Sequence, residues 1–77
     1  MTINDLKTGA LAKIVHLDLL SPAAMRLLDL GFVPDTLVHL LARAPLGEPL
    51  LVELRHHTLM LRKSEAAAVE ILPEEKA

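Results

Sequence analysis

The sequence predicts a mainly β chain: about five short strands, one α-helix inserted between the first two, and a short helical turn before the last. Three observations carry that expectation. Short apolar segments recur between clusters of Gly, Pro and Asp, as strands between turns do. Only Ser21–Gly31 combines helical spacing with start and stop signals. The chain has 77 residues, near the lower limit at which a core suffices without disulfides or metal, so it forms one domain, 1–77.

After an opening turn, Leu11–Leu17 is the first strand. Its alternation is imperfect, with Leu11, Lys13, Val15 and Leu17 opposed to Ala12, Ile14 and His16; the β-branched pair Ile14–Val15 favours a strand. In the helix, Ser21 suits the N-cap, Pro22 the first helical position and Gly31 the left-handed position after the end. Leu20 precedes the cap and is placed to staple onto Met25. Pro34–Asp35 is a turn, and Thr36 begins a strand whose run Leu37–Ala42 is apolar on both faces, as a central strand is. Pro45–Pro49 is a turn. Leu50–Arg55 and Thr58–Arg62 flank His56–His57 as a hairpin, with Leu59 and Leu61 on one face and Thr58, Met60 and Arg62 on the other. One helical turn capped by Ser64 and a closing strand Val69–Leu72 follow. The ordered core spans about 6–72, and 73–77 is a loose tail. Closing such a sheet removes exposed edges, so an SH3-like barrel is the leading expectation and an open β-meander with a helix the competitor.

Composition points toward binding rather than chemistry. The net charge is −2, from eight basic and ten acidic residues, which gives no footprint for nucleic acid. There is no Cys, which fits a reducing, cytoplasmic setting. The start, Met1 to Gly9, has no apolar run, and no stretch is apolar enough to span a membrane. Yet 52% of residues are hydrophobic and 1% aromatic. A barrel buries alternate residues only, so part of the leucine excess must lie outside, where apolar patches mark partner surfaces.

Three stretches, RLLDLGFVPDT (Arg26–Thr36), RAPLGEPL (Arg43–Leu50) and LMLRKSEA (Leu59–Ala66), stand in the order and spacing of the FeoA family, and the chain resembles that family from about Leu6 to Leu72. The resemblance implies an SH3-like barrel with a helix between its first two strands, similar to the C-terminal domain of DtxR-type iron-dependent repressors. It implies a cytosolic protein without catalytic activity, acting in bacterial ferrous iron uptake with FeoB, a membrane permease carrying a GTPase domain. No DNA-binding domain is attached, so a complete repressor is not expected. The chain departs from the family at Asp35, where glycine is frequent, and at His57, where the hairpin commonly has glycine. Asp tolerates positive φ, whereas His-His would be strained in a type I′ turn, so a longer loop or another turn type is expected.

No cofactor, metal or catalytic residue is expected. Ser21 and Ser64 are better helix caps than nucleophiles, and no phosphate-binding loop is present. His56 and His57 are neighbours and would face opposite sides of a strand, while His16 and His39 could be surface-facing. The partner-binding residues expected are Met25, Leu27, Leu28, Leu30 and Phe32, on the helix Pro22–Leu30 and just beyond it. Leu27 is foremost, because Leu27 and Leu28 cannot both point at the middle of one core; Phe32 is also the plug where helix meets barrel. Arg26, Arg43, Arg55, Arg62 and Lys63 are expected to rim the patch. FeoB, or a second copy of the chain, is the partner. An Fe(II) or metal sensor whose histidines control self-association is the alternative. A proline-peptide groove is weaker, because Trp and Tyr are missing to wall it.

Overall fold

The β-branched and leucine-rich segments become five strands: β1 (Leu11–Leu17), β2 (Leu37–Arg43), β3 (Leu50–Leu54), β4 (His57–Leu61) and β5 (Val69–Pro73). Two short helices, α1 (Ala24–Asp29) and α2 (Lys63–Ala66), and a 3-10 turn at Ile3–Asp5 complete the chain. This computed structural model describes residues 1–74. The strands form one antiparallel sheet in the order β4-β3-β2-β1-β5, a small SH3-like barrel whose end strands do not pair with each other. The strand from Thr36 is therefore the central one, as its apolar run implies. Of the expected tail, Pro73 closes β5 and Glu74 donates its N–H to the Leu11 carbonyl at 2.9 Å; 75–77 lie outside the described residues.

Two bulges explain the imperfect alternation. The β1–β5 register shifts between Ile14 and His16, so Ala12, Ile14 and Leu17 all face inward while Val15 and His16 are exposed. The β2–β3 register shifts between Leu40 and Ala42. Val38 and Leu40 stay in the core, and Leu41 is left half-buried. The core joins these residues to Leu50, Val52, Leu54, Leu61, Val69 and Ile71 from the other strands, and to Leu27 and Phe32. Each such side chain contributes roughly 1.5–3 kcal/mol by leaving water.

The N-terminal segment belongs to this body. Ile3 is fully buried, upstream of Leu6, where the sequence places the start of the core. Arg43 Nη2 donates to the carbonyls of Asn4 at 3.0 Å and Leu6 at 3.1 Å. Ile71 N–H donates to the Met1 carbonyl at 2.8 Å, so the same segment also covers the outer edge of β5.

Several local expectations change. α1 starts at Ala24, two residues later than Pro22, because Ser21–Ala23 form a turn in which Ser21 Oγ accepts the Ala23 N–H at 3.2 Å. Leu20 is 93% and Met25 73% exposed, so no staple joins them. α2 is capped by carboxylates rather than by Ser64: Glu65 accepts the Arg62 N–H and Glu48 the Lys63 N–H, each at 2.8 Å. The hairpin turn is Arg55–His56, one residue earlier than expected, and His57 opens β4. Both turn residues have positive φ, 49° and 69°, which is the strained two-residue geometry that glycine would relieve. Asp35, at φ 73°, adopts the left-handed conformation expected of it.

Candidate docking face

α1 is held by its C-terminus. Gly31, at φ 103°, donates its N–H to the Leu28 carbonyl at 3.0 Å. Phe32 donates to the Leu27 carbonyl, also at 3.0 Å. This pair of bonds is a Schellman motif, which brings the side chain after the glycine against the one four residues before it. Gly31 has no room for more, since a Cβ there would lie 3.3 Å from Leu54 Cδ2.

That geometry divides the expected partner residues. Leu27 and Phe32 are both 0% exposed, so neither offers a surface. Leu27 is thus corrected from foremost contact to core residue; of the doubled leucine, it is Leu28 that sits half-buried at the margin. Met25 is 73% exposed and Leu30 38%. The turn leading into α1 adds Leu19 and Leu20, the latter almost fully in water, neither of them among the expected partner residues. Asp18 Oδ1 accepts the Leu20 N–H at 3.0 Å, an Asx turn that holds both leucines outside any periodic element.

The expected basic rim is only partly a rim. Arg43 is turned inward to the N-terminal carbonyls, and Arg55 Nη2 donates to Thr36 Oγ1 at 3.3 Å. Arg26 lies beside α1's apolar face and pairs with Glu65. Arg62 and Lys63 are exposed.

The histidines are dispersed. His16 lies opposite Glu70 on neighbouring strands. His39 Nε2 is 3.1 Å from the Gly9 carbonyl, and its Nδ1 is 3.7 Å from Glu53 Oε1. Glu53 thus faces His39. Among the described residues no three or more His, Asp or Glu side chains converge as a metal ion would need, and His39 with Glu53 falls short of the roughly four ligands of a tetrahedral site. No helix among the described residues is long and apolar enough to cross a membrane.

Comparison with known proteins agrees with the fold. Residues 1–73 match the family model of the FeoA domain. Over 71 residues, 92% of this chain, it is 32% identical to a putative Fe(2+) transport protein A of Campylobacter jejuni and covers 96% of that protein. Over the same length it is 30% identical to an Fe(2+) transport protein A/Fe(2+) transporter FeoB fusion protein of Porphyromonas gingivalis, of which it spans only 8%. Among solved structures, Stenotrophomonas maltophilia FeoA complexed with zinc, described as a procaryotic SH3 domain protein, is 35% identical with a TM-score of 0.83; the match covers 92% of this chain and 88% of that one. A FeoA-like protein of Clostridium acetobutylicum is 29% identical with a TM-score of 0.86, covering 100% of this chain and 92% of that one. With a family model matched over nearly its whole length and a relative 32% identical over 92% of it, this chain belongs to the FeoA domain family.

Proposed function

We propose that this chain is a non-enzymatic, cytoplasmic component of ferrous iron uptake that acts by docking on the cytosolic part of a FeoB-type permease. The observation that carries the reading is the Porphyromonas relative, a fusion of an Fe(2+) transport protein A and an Fe(2+) transporter FeoB by its name. Two modules fused in one chain are kept at high effective concentration, which favours a working contact between them. Met25 and Leu30, with Leu28 at the margin, are the contact residues proposed on this chain. They are large apolar side chains exposed on a helix whose other face is already buried, so covering them removes apolar area from water without disturbing the core.

The double variant Met25→Ser/Leu30→Ser tests this in cells whose only copy of the chain carries the change. Loss of Fe(II) uptake and of co-purification with the permease is expected, at unchanged thermal stability. Normal uptake and co-purification would remove the α1 face from the interface. A second reading, metal-dependent self-association, is favoured by the zinc complex of the Stenotrophomonas relative. Its site here would start from His39 and Glu53. Anaerobic calorimetry with Fe(II) and with Zn(II), beside sedimentation, decides it: no heat and no change of mass eliminates the sensor.

A further inference from the structure

The two edges of the sheet are treated differently. β5 is covered: Thr2 bridges Glu70 and Ile71 donates to Met1. Among the described residues β4 pairs with β3 alone. It has a regular register and contains no bulge, no proline and no lysine, which are the devices that normally blunt an open edge.

The hairpin fixes which groups are free. A two-residue turn at Arg55–His56 makes Leu54 and His57 the hydrogen-bonded pair that closes the ladder. Pairs then alternate, so Glu53–Thr58 and Leu51–Met60 are non-hydrogen-bonded pairs. The N–H and C=O groups of Thr58 and Met60 therefore point away from β3. Among the described residues no other backbone or side-chain group bonds them. Alongside runs a cleft lined by Pro22, Ala23, Arg26, Met60, Arg62 and Glu65, between α1 and the C-terminal half of β4.

The charges decide what fits. Arg55 stands before β4, and Arg62 and Lys63 follow it. Of the acids around it, Glu65 lines the cleft and is engaged by Arg26 and by the Arg62 N–H, Glu48 accepts the Lys63 N–H, and Glu53 faces His39. Pairing with a second copy about a two-fold axis, in the register that uses both Thr58 and Met60, sets Thr58 against Met60 of the other copy. The Arg55 end of each β4 then approaches the Arg62–Lys63 end of the other, so like charges meet at both ends. An extended segment with acidic residues at its ends meets opposite charge at both instead.

From this asymmetry we infer that the open edge of β4 receives an extended segment of another protein, apolar at its centre and acidic at its ends, which adds a sixth strand through Thr58 and Met60. Main-chain bonds to those residues supply the affinity, and Arg62 and Lys63 select the charge pattern. This surface is distinct from the Met25–Leu30 face and stands or falls without it.

The test uses the 15N-labelled full chain and a probe peptide, acetyl-Asp-Glu-Val-Leu-Val-Glu-Asp-amide. Saturable shifts centred on the Thr58 and Met60 amides are expected, with slowed hydrogen exchange at both. Methylating alternate peptide nitrogens in one of the two possible frames should weaken binding at least about tenfold, since it removes the donors that face β4. Replacing each acid of the probe with Lys should abolish binding. The inference is overturned by no shift at these amides up to about millimolar peptide, by equal binding of both methylated frames, or by equal binding of the Lys probe. It is also overturned if the unliganded chain protects Thr58 and Met60 by concentration-dependent dimerisation, which would give the edge to a second copy.

Discussion

The Phe32 N–H donates to the Leu27 carbonyl at 3.0 Å, and the two side chains are buried completely. The bond fixes Leu27 on the inner side of α1, against the core that Phe32 plugs, and leaves Met25 on the outer side. Leu27→Ala should cost about 2–5 kcal/mol, as cavity-forming core truncations do. Met25→Ala should stay within about 0.5 kcal/mol. Urea denaturation of the two variants separates the roles; equal costs would place Met25 in the core as well.

Gly31 is the hinge of the same motif. Gly31→Ala must hold an L-residue at φ 103° with its Cβ 3.3 Å from Leu54 Cδ2. A loss of about 1–2 kcal/mol is expected from the backbone alone. Faster hydrogen exchange at the Phe32 amide should accompany it.

Arg43 ties the N-terminus to the centre of the sheet. Arg43→Met keeps the aliphatic stem and leaves the Asn4 and Leu6 carbonyls without their charged donor. The expected cost is roughly 1.5–3 kcal/mol. Exchange of the Ile71 amide, which bonds Met1, should rise more than that of Val52 in the middle of the sheet. Uniform changes at both amides would show instead that the segment unfolds only with the whole.

The hairpin stores strain that a substitution can release. His56→Gly places glycine at φ 69°, where His now sits. Stability should rise by about 1 kcal/mol, net of the added backbone entropy of the unfolded chain. A thermal midpoint below that of the parent would mean that the His56 side chain contributes a contact worth more than the strain.

Most of the architecture was legible in the sequence. The strand segments, the helix, its glycine stop and the turn at Asp35 fell within a few residues of their places, because each is set by neighbours in the chain: alternation, Pro and Gly geometry, and the tolerance of Asp for positive φ. The exposure of the proposed docking residues was half legible. Met25 and Leu30 lie outside, but Leu27 was misplaced, although counting four residues back from Gly31, or five from Phe32, marks it as the side chain the Schellman contact buries. Leu19 was passed over and Leu20 read as a staple rather than a surface residue, because an apolar pair in a turn has no periodicity to betray its exposure.

By itself the sequence determined the fold class and family, since local propensity and the spacing of punctuation residues suffice for both. Only the tertiary structure decided which leucines are surface. The bulges at Val15 and Leu41 switch the inward face partway along a strand, and the helix-end bonds choose Leu27 over Leu28. It also decided that Arg43 serves the N-terminus rather than a rim, and that Met1 and Thr2 cover β5 while, among the described residues, nothing pairs with the outer edge of β4. These outcomes depend on contacts between residues far apart in the chain, where burial and hydrogen bonding override what any single segment prefers.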